Sequence, residues 1–197
     1  MNLANPKKHI PWIVYEAKDW LDEFLKKDMR VFEWGSGGST FYFSKRTKKV
    51  VSVEHDDSWH KKVEETLLKE KINNCEYHLI APYKNYLSRI LPLAWRMYKS
   101  EVFTEYKNYT FKKYVKKISD YPDNFFDLIF VDGRARAACM RHAVRKIKKG
   151  GFLMLDNSER KSYRNAMGKL RNFQRRDFFG HGPYSEDKWQ TSVWHIN

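Results

Sequence analysis

Hydrophobic and polar residues along the first 80 positions follow an order that is typical of an α/β protein. Apolar residues recur at helical spacing from Ile13 to Leu25, and the segment MRVFE that follows has the pattern of a short strand. STFYFSKR then predicts a helix, KKVVSVEH a second strand, the stretch around Val63 a helix and CEYHLIA a third strand. This order predicts a parallel sheet with helices on both faces.

The pattern weakens between about residues 82 and 124, where aromatic residues are mixed with lysines. This composition predicts an elaborated insertion, although Phe111, Tyr114 and Ile118 still lie on one helical stripe. Beyond it, FDLIFVD and FLMLD predict two buried strands joined by a helix that KKGG is expected to close, and RRDFFGHGP with WQTSVWHI predicts a final antiparallel pair. Residues 1–197 are expected to form a single domain.

The charge and the cysteine content of the chain bear on its possible partners and on its location in the cell. The chain carries 38 Lys and Arg against 24 Asp and Glu, a net charge of +14 at pH 7. A positive surface favours anionic partners such as nucleic acid, phosphorylated metabolites or acidic glycans, whereas solvated lysine-rich helix faces explain the same charge. Two separated cysteines, the lack of a membrane-length apolar run and the polar start MNLANPKKHIPW predict a cytoplasmic protein that does not enter a membrane.

The stretch VFEWGSGGSTFYF, residues 31–43, is the first candidate for a ligand-binding site. A strand that ends in glycines and runs into a helix lets a ligand approach the backbone, and an ordinary tight turn is the alternative. A phosphate loop would need a lysine after its last glycine, and a dinucleotide fingerprint would need a glycine where Thr40 stands. Glu33 suits a nearby ammonium better than a pyrophosphate, and Glu54 can accept hydrogen bonds from both hydroxyls of a ribose. These positions indicate a ligand with a ribose and an amino-acid end.

Four segments, VFEWGSGGST, VVSVEH, FDLIFVDG and GGFLMLDN, resemble in this order the class I S-adenosylmethionine-dependent methyltransferases. The resemblance implies a three-layer Rossmann-like α/β sandwich with a mostly parallel seven-stranded sheet and an antiparallel last strand. It implies S-adenosylmethionine as the cofactor, with Glu54 at the ribose, His55 or a nearby residue over the adenine and Asp132 at the reaction centre. The residues that it implies around the methionine part are Glu33, Gly35, Ser36, Gly37, Ser39 and Thr40. The third strand departs from the pattern, because LIAPY lacks the acidic residue that many members place there.

Asp132 and Asp156 follow two neighbouring strands, and Asn157 comes next. Three such oxygen ligands suit Mg²⁺, which would orient and acidify a hydroxyl, and the trio resembles the metal set of the catechol and caffeoyl-CoA O-methyltransferases. The alternative is that Asp156 and Asn157 cap the next helix. GRAR stands where those enzymes carry a lysine base, so Arg134 is the candidate substitute, although an arginine is better suited to bind an anionic group. Asp132, Arg134 and Asp156 are the candidate catalytic residues.

Methylation of a small-molecule hydroxyl, on a sugar or a phenol, is the leading expectation for function. The acceptor is expected to be anionic, and the aromatic residues Trp34, Tyr83, Tyr86 and Trp95 are candidates for lining its pocket, with burial in the core as their alternative. The charge of +14 also suggests an RNA methyltransferase, but VDGR is not the Asn/Asp-Pro-Pro-Tyr type of motif that base-modifying enzymes often carry. A basic binding module without turnover is the third hypothesis.

Overall fold

The computed structural model describes residues 9–84, 98–100, 106 and 108–197. Its helices are α1 (Tyr15–Phe24), α2 (Gly38–Ser44), α3 (Asp57–Lys69), α4 (Lys112–Lys116), α5 (Arg136–Ala143) and α6 (Arg164–Gly168). Its strands are β1 (Arg30–Trp34), β2 (Lys49–Glu54), β3 (Cys75–Leu79), β4 (Tyr83–Lys84), β5 (Tyr109–Thr110), β6 (Phe126–Val131), β7 (Ile147–Asp156), β8 (Gln174–Gly182) and β9 (Ser185–His195). Short 3-10 helices cover Lys117–Asp120, Val144–Lys146 and Lys161–Tyr163.

Seven of these strands form one sheet in the order β3-β2-β1-β6-β7-β9-β8. Neighbours from β3 to β7 are parallel, whereas β9 is antiparallel to both β7 and β8. The predicted fold class is therefore confirmed, including the antiparallel last strand and the final pair of strands. The chain reverses its winding direction between β1 and β6, so the turn after β1 lies where open α/β sheets bind their ligands.

Side chains of alternate residues along the central strands pack into two separate hydrophobic cores, one on each face of the sheet. Val31 and Leu128 face a core that α1 and α2 complete, while Phe32 and Ile129 face a core that α4, α5 and α6 complete. This arrangement follows from the period-2 alternation of side chains along a strand. The apolar runs of β1, β2 and β6 are buried on both faces, as expected for a parallel sheet between two helical layers.

The sequence pattern predicted that KKGG closes a helix, and this prediction is wrong. The helix α5 ends at Ala143, and KKGG lies within β7. Phe126 pairs with Ile147 and Leu128 pairs with Phe152, so β7 carries extra residues that bulge out of the ladder, and Gly150 within that bulge has a φ of +82°. The glycines therefore serve an irregular strand rather than a helix end.

The described part of the predicted insertion at 82–124 contains a two-stranded ribbon, β4 with β5, followed by α4. Phe111, Tyr114 and Ile118 are fully buried against the sheet, which confirms the helical stripe. The insertion's central portion lies outside the described residues, and the single-domain organisation stays a prediction. Among the helices of the described residues, none combines the length and the apolar composition of a membrane span.

Candidate active site

The glycine-rich segment after β1 turns into α2, and its residues 35–38 are half-buried at the end of the sheet. Gly35 has a φ of +94°, a conformation that residues with a side chain rarely adopt. Its backbone N–H donates to Val53 O at 2.9 Å, and the N–H of Asp132 donates to Trp34 O at 3.0 Å. The turn is thereby fixed between the end of β2 and the end of β6.

Neighbouring protein atoms require glycine at three positions around this turn. A Cβ on Gly35 would lie 2.7 Å from the Cα of Gly133, and a Cβ on Gly133 would lie 1.9 Å from the hydroxyl of Tyr114. A Cβ on Gly38 would lie 2.2 Å from the backbone oxygen of Ile10. The sequence interpretation, that glycines keep the turn clear for a ligand, was therefore incomplete, because close packing of the protein's own backbone already demands them.

Glu33 is fully buried beneath the turn and supports it. Its carboxyl accepts hydrogen bonds from Ser39 Oγ at 2.8 Å and Thr40 Oγ1 at 2.5 Å, and Thr40 Oγ1 accepts one from the backbone N–H of Gly37 at 3.0 Å. Burial raises the pKa of Glu33 to about 7, although the hydrogen bond from Thr40 opposes the shift. These side chains shape the turn from below, and their direct contact with a cofactor stays a prediction.

Glu54, at the end of β2, faces the turn from the next strand. Its Oε2 accepts hydrogen bonds from the backbone N–H of Ser36 at 3.1 Å and from Ser36 Oγ at 2.9 Å, and its Oε1 accepts from the backbone N–H groups of His55 and Asp56 at 2.6 and 2.9 Å. Burial alone would raise the pKa of Glu54, but the His55 ring and the backbone donors lower it below its usual value. Glu54 is therefore an ionised acceptor beside the turn.

The ring of His55 forms one wall next to this carboxylate. Its centroid lies 5.7 Å from those of Tyr106 and Phe111 and 6.1 Å from that of Tyr114, and its Nδ1 lies 2.7 Å from Glu54 Oε1. The side chain is only 11% exposed. His55 is therefore packed among aromatic rings at the edge of the turn, and its predicted place over an adenine stays a prediction.

The ends of β6 and β7 carry a second group of polar side chains. Asp132, Asp156 and Asn157 come together there, as the sequence predicted, but the side chain of Arg136 lies between them. Arg136 is the first residue of α5, and its side chain is only 8% exposed. Its Nη2 lies 2.8 Å from Asp132 Oδ1, and its Nη1 donates to Asn157 Oδ1 at 3.2 Å.

Asp156 is held from the opposite side by β9. Its Oδ1 accepts hydrogen bonds from Trp189 Nε1 at 3.0 Å and from Thr191 Oγ1 at 2.7 Å. Burial and the charge of Asp132 raise the pKa of Asp156, while Arg136 opposes the shift. The alternative that Asp156 and Asn157 cap the next helix is wrong, since that helix begins at Lys161 and has no side-chain cap. The side chain of Asp156 is only 4% exposed and bonds to β9 instead.

This cluster does not fit the Mg²⁺ that the sequence predicted. A hard cation would need the free oxygens of Asp132, Asp156 and Asn157, and two of those side chains already bind a guanidinium. Across the described ranges, no group of three His, Cys, Asp or Glu side chains could hold a metal ion.

No known protein family matches the sequence, and no curated protein matches it. Solved structures are nevertheless similar in fold. An rRNA methylase from Streptococcus thermophilus has a TM-score of 0.60 at 13% identity, over 95% of this chain and 99% of that one. An O-methyltransferase from Bacillus cereus in complex with SAH has a TM-score of 0.62 at 14% identity, over 86% and 74% of the two chains. A tRNA methyltransferase from Aquifex aeolicus has a TM-score of 0.58 at 12% identity, over 95% and 71%.

The chain has the class I methyltransferase fold. This result confirms, at the level of the fold, the resemblance that the four sequence segments indicated. In this fold the glycine turn, Glu54 and Asp132 lie at the ends of adjacent strands, and their contact with a cofactor stays a prediction.

The methyltransferase fold also presents an open cleft of about 680 Å³ beside Asp132. Its walls are the ends of β6 and β7 and the hairpin between β8 and β9, and Arg134 and Trp12 contribute to its lining. The predicted acceptor-pocket residue Trp34 is instead fully buried, where its Nε1 donates to Tyr114 O at 3.1 Å. Tyr83 lies on β4 and is not among the residues that line this cleft.

Tyr86 and Trp95, the other two predicted pocket residues, lie outside the described residues. Sequence reasoning missed Arg136, Trp189 and Thr191. Arg136 stands in the basic segment GRARAACMR and begins α5, and only the fold brings it between Asp132 and Asn157. Trp189 and Thr191 alternate along β9 and so share one face, but only the pairing of β9 with β7 places that face at Asp156.

Proposed function

We propose that this chain is an S-adenosylmethionine-dependent methyltransferase that methylates a hydroxyl of a small molecule, a sugar or a phenol. The main support is the adjacency of three features at one edge of the sheet. The half-buried turn at 35–38, the ionised Glu54 and the cleft-lining Asp132 lie at the ends of β1, β2 and β6. At this edge the chain reverses its winding direction across the sheet, and nucleotide-like ligands usually bind at such a point.

The chemistry of these residues fits such a cofactor. A carboxylate offers about four acceptor positions, and Ser36 Oγ occupies one of them on Glu54. Ser36 Oγ also lies 2.7 Å from the hydroxyl of Tyr77, so it can turn to Tyr77 and release Glu54 Oε2 to a ribose hydroxyl. The half-buried turn at 35–38 then offers a surface for the amino-acid end of the cofactor.

S-adenosylmethionine supplies a methyl group on a sulfonium, so the protein must mainly align the acceptor and take its proton. Alignment alone contributes roughly 7–11 kcal/mol when the reacting atoms are held near attack distance. When the C–S bond breaks and the new C–O bond forms, the hydroxyl proton of the acceptor leaves. Asp132 is placed to accept that proton, because its side chain is 26% exposed and lines the cleft.

The cleft suits a small polar acceptor. Its volume lies within the range of roughly 300–1,000 Å³ that is usual for small-molecule sites. Trp12 and Trp189 offer aromatic surface, and Arg134, Arg160 and Lys188 offer cationic groups, alongside the acidic Glu159 and Asp187. An acceptor with a carboxylate or phosphate near its hydroxyl would bind the arginines. Arg134 therefore serves as an anion-binding group in this proposal rather than as a base.

Calorimetry with S-adenosylhomocysteine tests the cofactor part of the proposal. The wild-type protein is expected to bind it with saturation, and Glu54→Gln is expected to weaken binding at least tenfold, because the uncharged amide is a poorer acceptor. Glu65→Gln, on the exposed side of α3, is the matched control and should bind as the wild type does. Lack of saturable binding by the wild type would contradict the proposal.

Release of S-adenosylhomocysteine in the presence of candidate acceptors tests the reaction. Sugars and phenols that carry a carboxylate or phosphate should support turnover, and their deoxy counterparts should not. Turnover with RNA alone, with a steep loss at higher salt, would favour the second hypothesis, which the net charge of +14 motivates. Cofactor binding without turnover on any acceptor would favour a binding module on the same fold.

A further inference from the structure

The guanidinium of Arg136 is saturated by oxygen atoms from the ends of β6 and β7. Its Nε donates to Gly133 O at 3.0 Å, and its Nη2 donates to Asp132 O at 2.6 Å and lies 2.8 Å from Asp132 Oδ1. Its Nη1 donates to Asp156 O at 2.6 Å and to Asn157 Oδ1 at 3.2 Å. Five N–H groups therefore face five acceptors, which is the full donor capacity of an arginine.

These acceptors include the residues that would have to ligate a divalent cation. A metal ion needs oxygen ligands at about 2.0–2.6 Å on several sides, so it would have to occupy the space in which the guanidinium lies. It would also have to approach a fixed positive charge within a low-dielectric site, where repulsion between like charges is strong. Arg136 and a metal ion thus exclude each other at this position.

We propose that Arg136 is a permanent internal cation that takes the place of a divalent metal at this edge of the sheet, so that methyl transfer proceeds without a metal. The inference rests on the proposed function. Because all its donors are used within the protein, Arg136 is a positioning residue. It binds Oδ1 of Asp132 and fixes the direction in which the rest of that carboxylate faces the cleft.

An arginine suits this role better than a lysine would. The planar guanidinium can donate in several directions within one plane and stays charged at every physiological pH, whereas an ammonium is a compact point charge. The chain also fixes the guanidinium from both strands, because the backbone oxygens of Asp132 and Asp156 accept from Nη2 and Nη1. The site therefore carries its own cation and its own geometry.

Binding of Mn²⁺ tests the inference independently of turnover. The wild-type protein is expected to show no saturable Mn²⁺ binding up to 1 mM by calorimetry or paramagnetic resonance, and its affinity for S-adenosylhomocysteine should be the same in excess EDTA. Arg136→Ala should bind Mn²⁺ at least tenfold more tightly than the wild type, because it leaves two carboxylates and an amide oxygen around an empty space. Adding Asp132→Asn to that variant should abolish the gain.

Arg136→Lys is the control that keeps a positive charge at this position, and it should exclude Mn²⁺ as the wild type does. Wild-type Mn²⁺ binding that disappears in Asp132→Asn would overturn the inference, and this measurement needs no Arg136 variant to fold. A folded Arg136→Ala that gains no Mn²⁺ affinity would overturn it as well. Absence of S-adenosylhomocysteine binding by the wild type would instead contradict the proposed function, so the two failures are distinguishable.

Discussion

The ends of β1 and β2 and the ends of β6 and β7 lie along the same edge of one sheet, but their carboxylates are held in different ways. Glu33 and Glu54 accept from hydroxyls and backbone N–H groups, which come from the glycine turn and α2 and, for Glu54, also from His55 and Asp56. Asp132 and Asp156 are bridged by one buried guanidinium, and Asp156 also depends on β9. The first region is held by neutral donors of neighbouring turns, whereas the second needs a buried cation and the last strand of the chain.

This difference decides what each region can offer to a ligand. The hydroxyl of Ser36 can rotate away from Glu54 toward Tyr77, so this carboxylate can exchange one protein donor for a ligand donor. The guanidinium of Arg136 has no such freedom, since its donors are all engaged and its side chain is buried. The adaptable region suits the binding and release of a cofactor, whereas the fixed region suits the alignment of a reaction.

The largest expected effect comes from the contact that joins the two regions. Gly133→Ala should lower the free energy of unfolding by about 4 kcal/mol, because the new Cβ would lie 1.9 Å from the hydroxyl of the buried Tyr114 and 2.9 Å from Gly35 N. Urea unfolding measures the change. Gly168→Ala, where a Cβ meets nothing within 4 Å, is the control and should change stability by about 1 kcal/mol or less.

Combining Gly133→Ala with Tyr114→Phe sharpens this prediction. If the hydroxyl causes most of the strain, its removal should restore part of the lost stability, and the remainder reports the contact with the backbone of Gly35. A Gly133→Ala protein as stable as the wild type would show that the turns after β1 and β6 are not packed against each other.

A pH-dependent effect of roughly 3 kcal/mol is expected at Glu33. Its pKa is about 7 in the folded state and near 4.5 when unfolded, so its contribution to stability is fully present below pH 4.5 and is lost as the pH rises to 7. Glu33→Gln carries no such charge. Relative to the wild type, this variant should therefore gain roughly 3 kcal/mol of stability between pH 4.5 and pH 8.

Urea unfolding of both proteins at the two pH values measures this gain. The pH dependence that comes from the other titratable groups is common to both proteins and cancels in the comparison. Glu65→Gln, on the exposed side of α3, should change stability by less than about 0.5 kcal/mol. Parallel pH profiles of the wild type and Glu33→Gln would mean that the Glu33 carboxyl is not buried beneath the turn.

The same contrast explains how much could be predicted from the sequence. The strands β1, β2 and β6 were predicted because their apolar runs and the glycines or acidic residues that end them are local signals. Their order predicted a parallel sheet between two helical layers, and the resemblance of four segments implied the class I fold. Glu54 and the turn at 35–38 were placed correctly beside each other, since the pairing of β1 with β2 follows from that same order.

Features that depend on distant contacts could not be predicted in this way. KKGG has the local composition of a helix end, but pairing with β6 makes it an irregular part of β7. Trp34 looks like a pocket residue beside glycines, but α4 covers it. Arg136 looks like a surface charge in a basic segment, and only the folded positions of Asp132 and Asn157 show that it is buried.

An intermediate effect is expected where β9 supports Asp156. Trp189→Phe removes the indole N–H that donates to Asp156 Oδ1 at 3.0 Å, and the loss should be about 2 kcal/mol at pH 8, because the carboxylate is buried. Chemical denaturation measures it. Trp12→Phe, at a position that is 41% exposed, is the control and should stay within about 0.5 kcal/mol of the wild type. Equal stabilities of the two variants would show that the indole does not support Asp156.

The smallest effect on stability is expected at Ser36. Ser36→Ala should lower the free energy of unfolding by about 1 kcal/mol or less, since Glu54 keeps the backbone donors of Ser36, His55 and Asp56. Calorimetry should show S-adenosylhomocysteine binding at least as tight as that of the wild type, because the variant frees an acceptor position on Glu54. Weaker binding would mean that the serine hydroxyl itself holds the ligand. The adaptable region would then bind its cofactor through the Ser36 side chain rather than through an acceptor position released on Glu54.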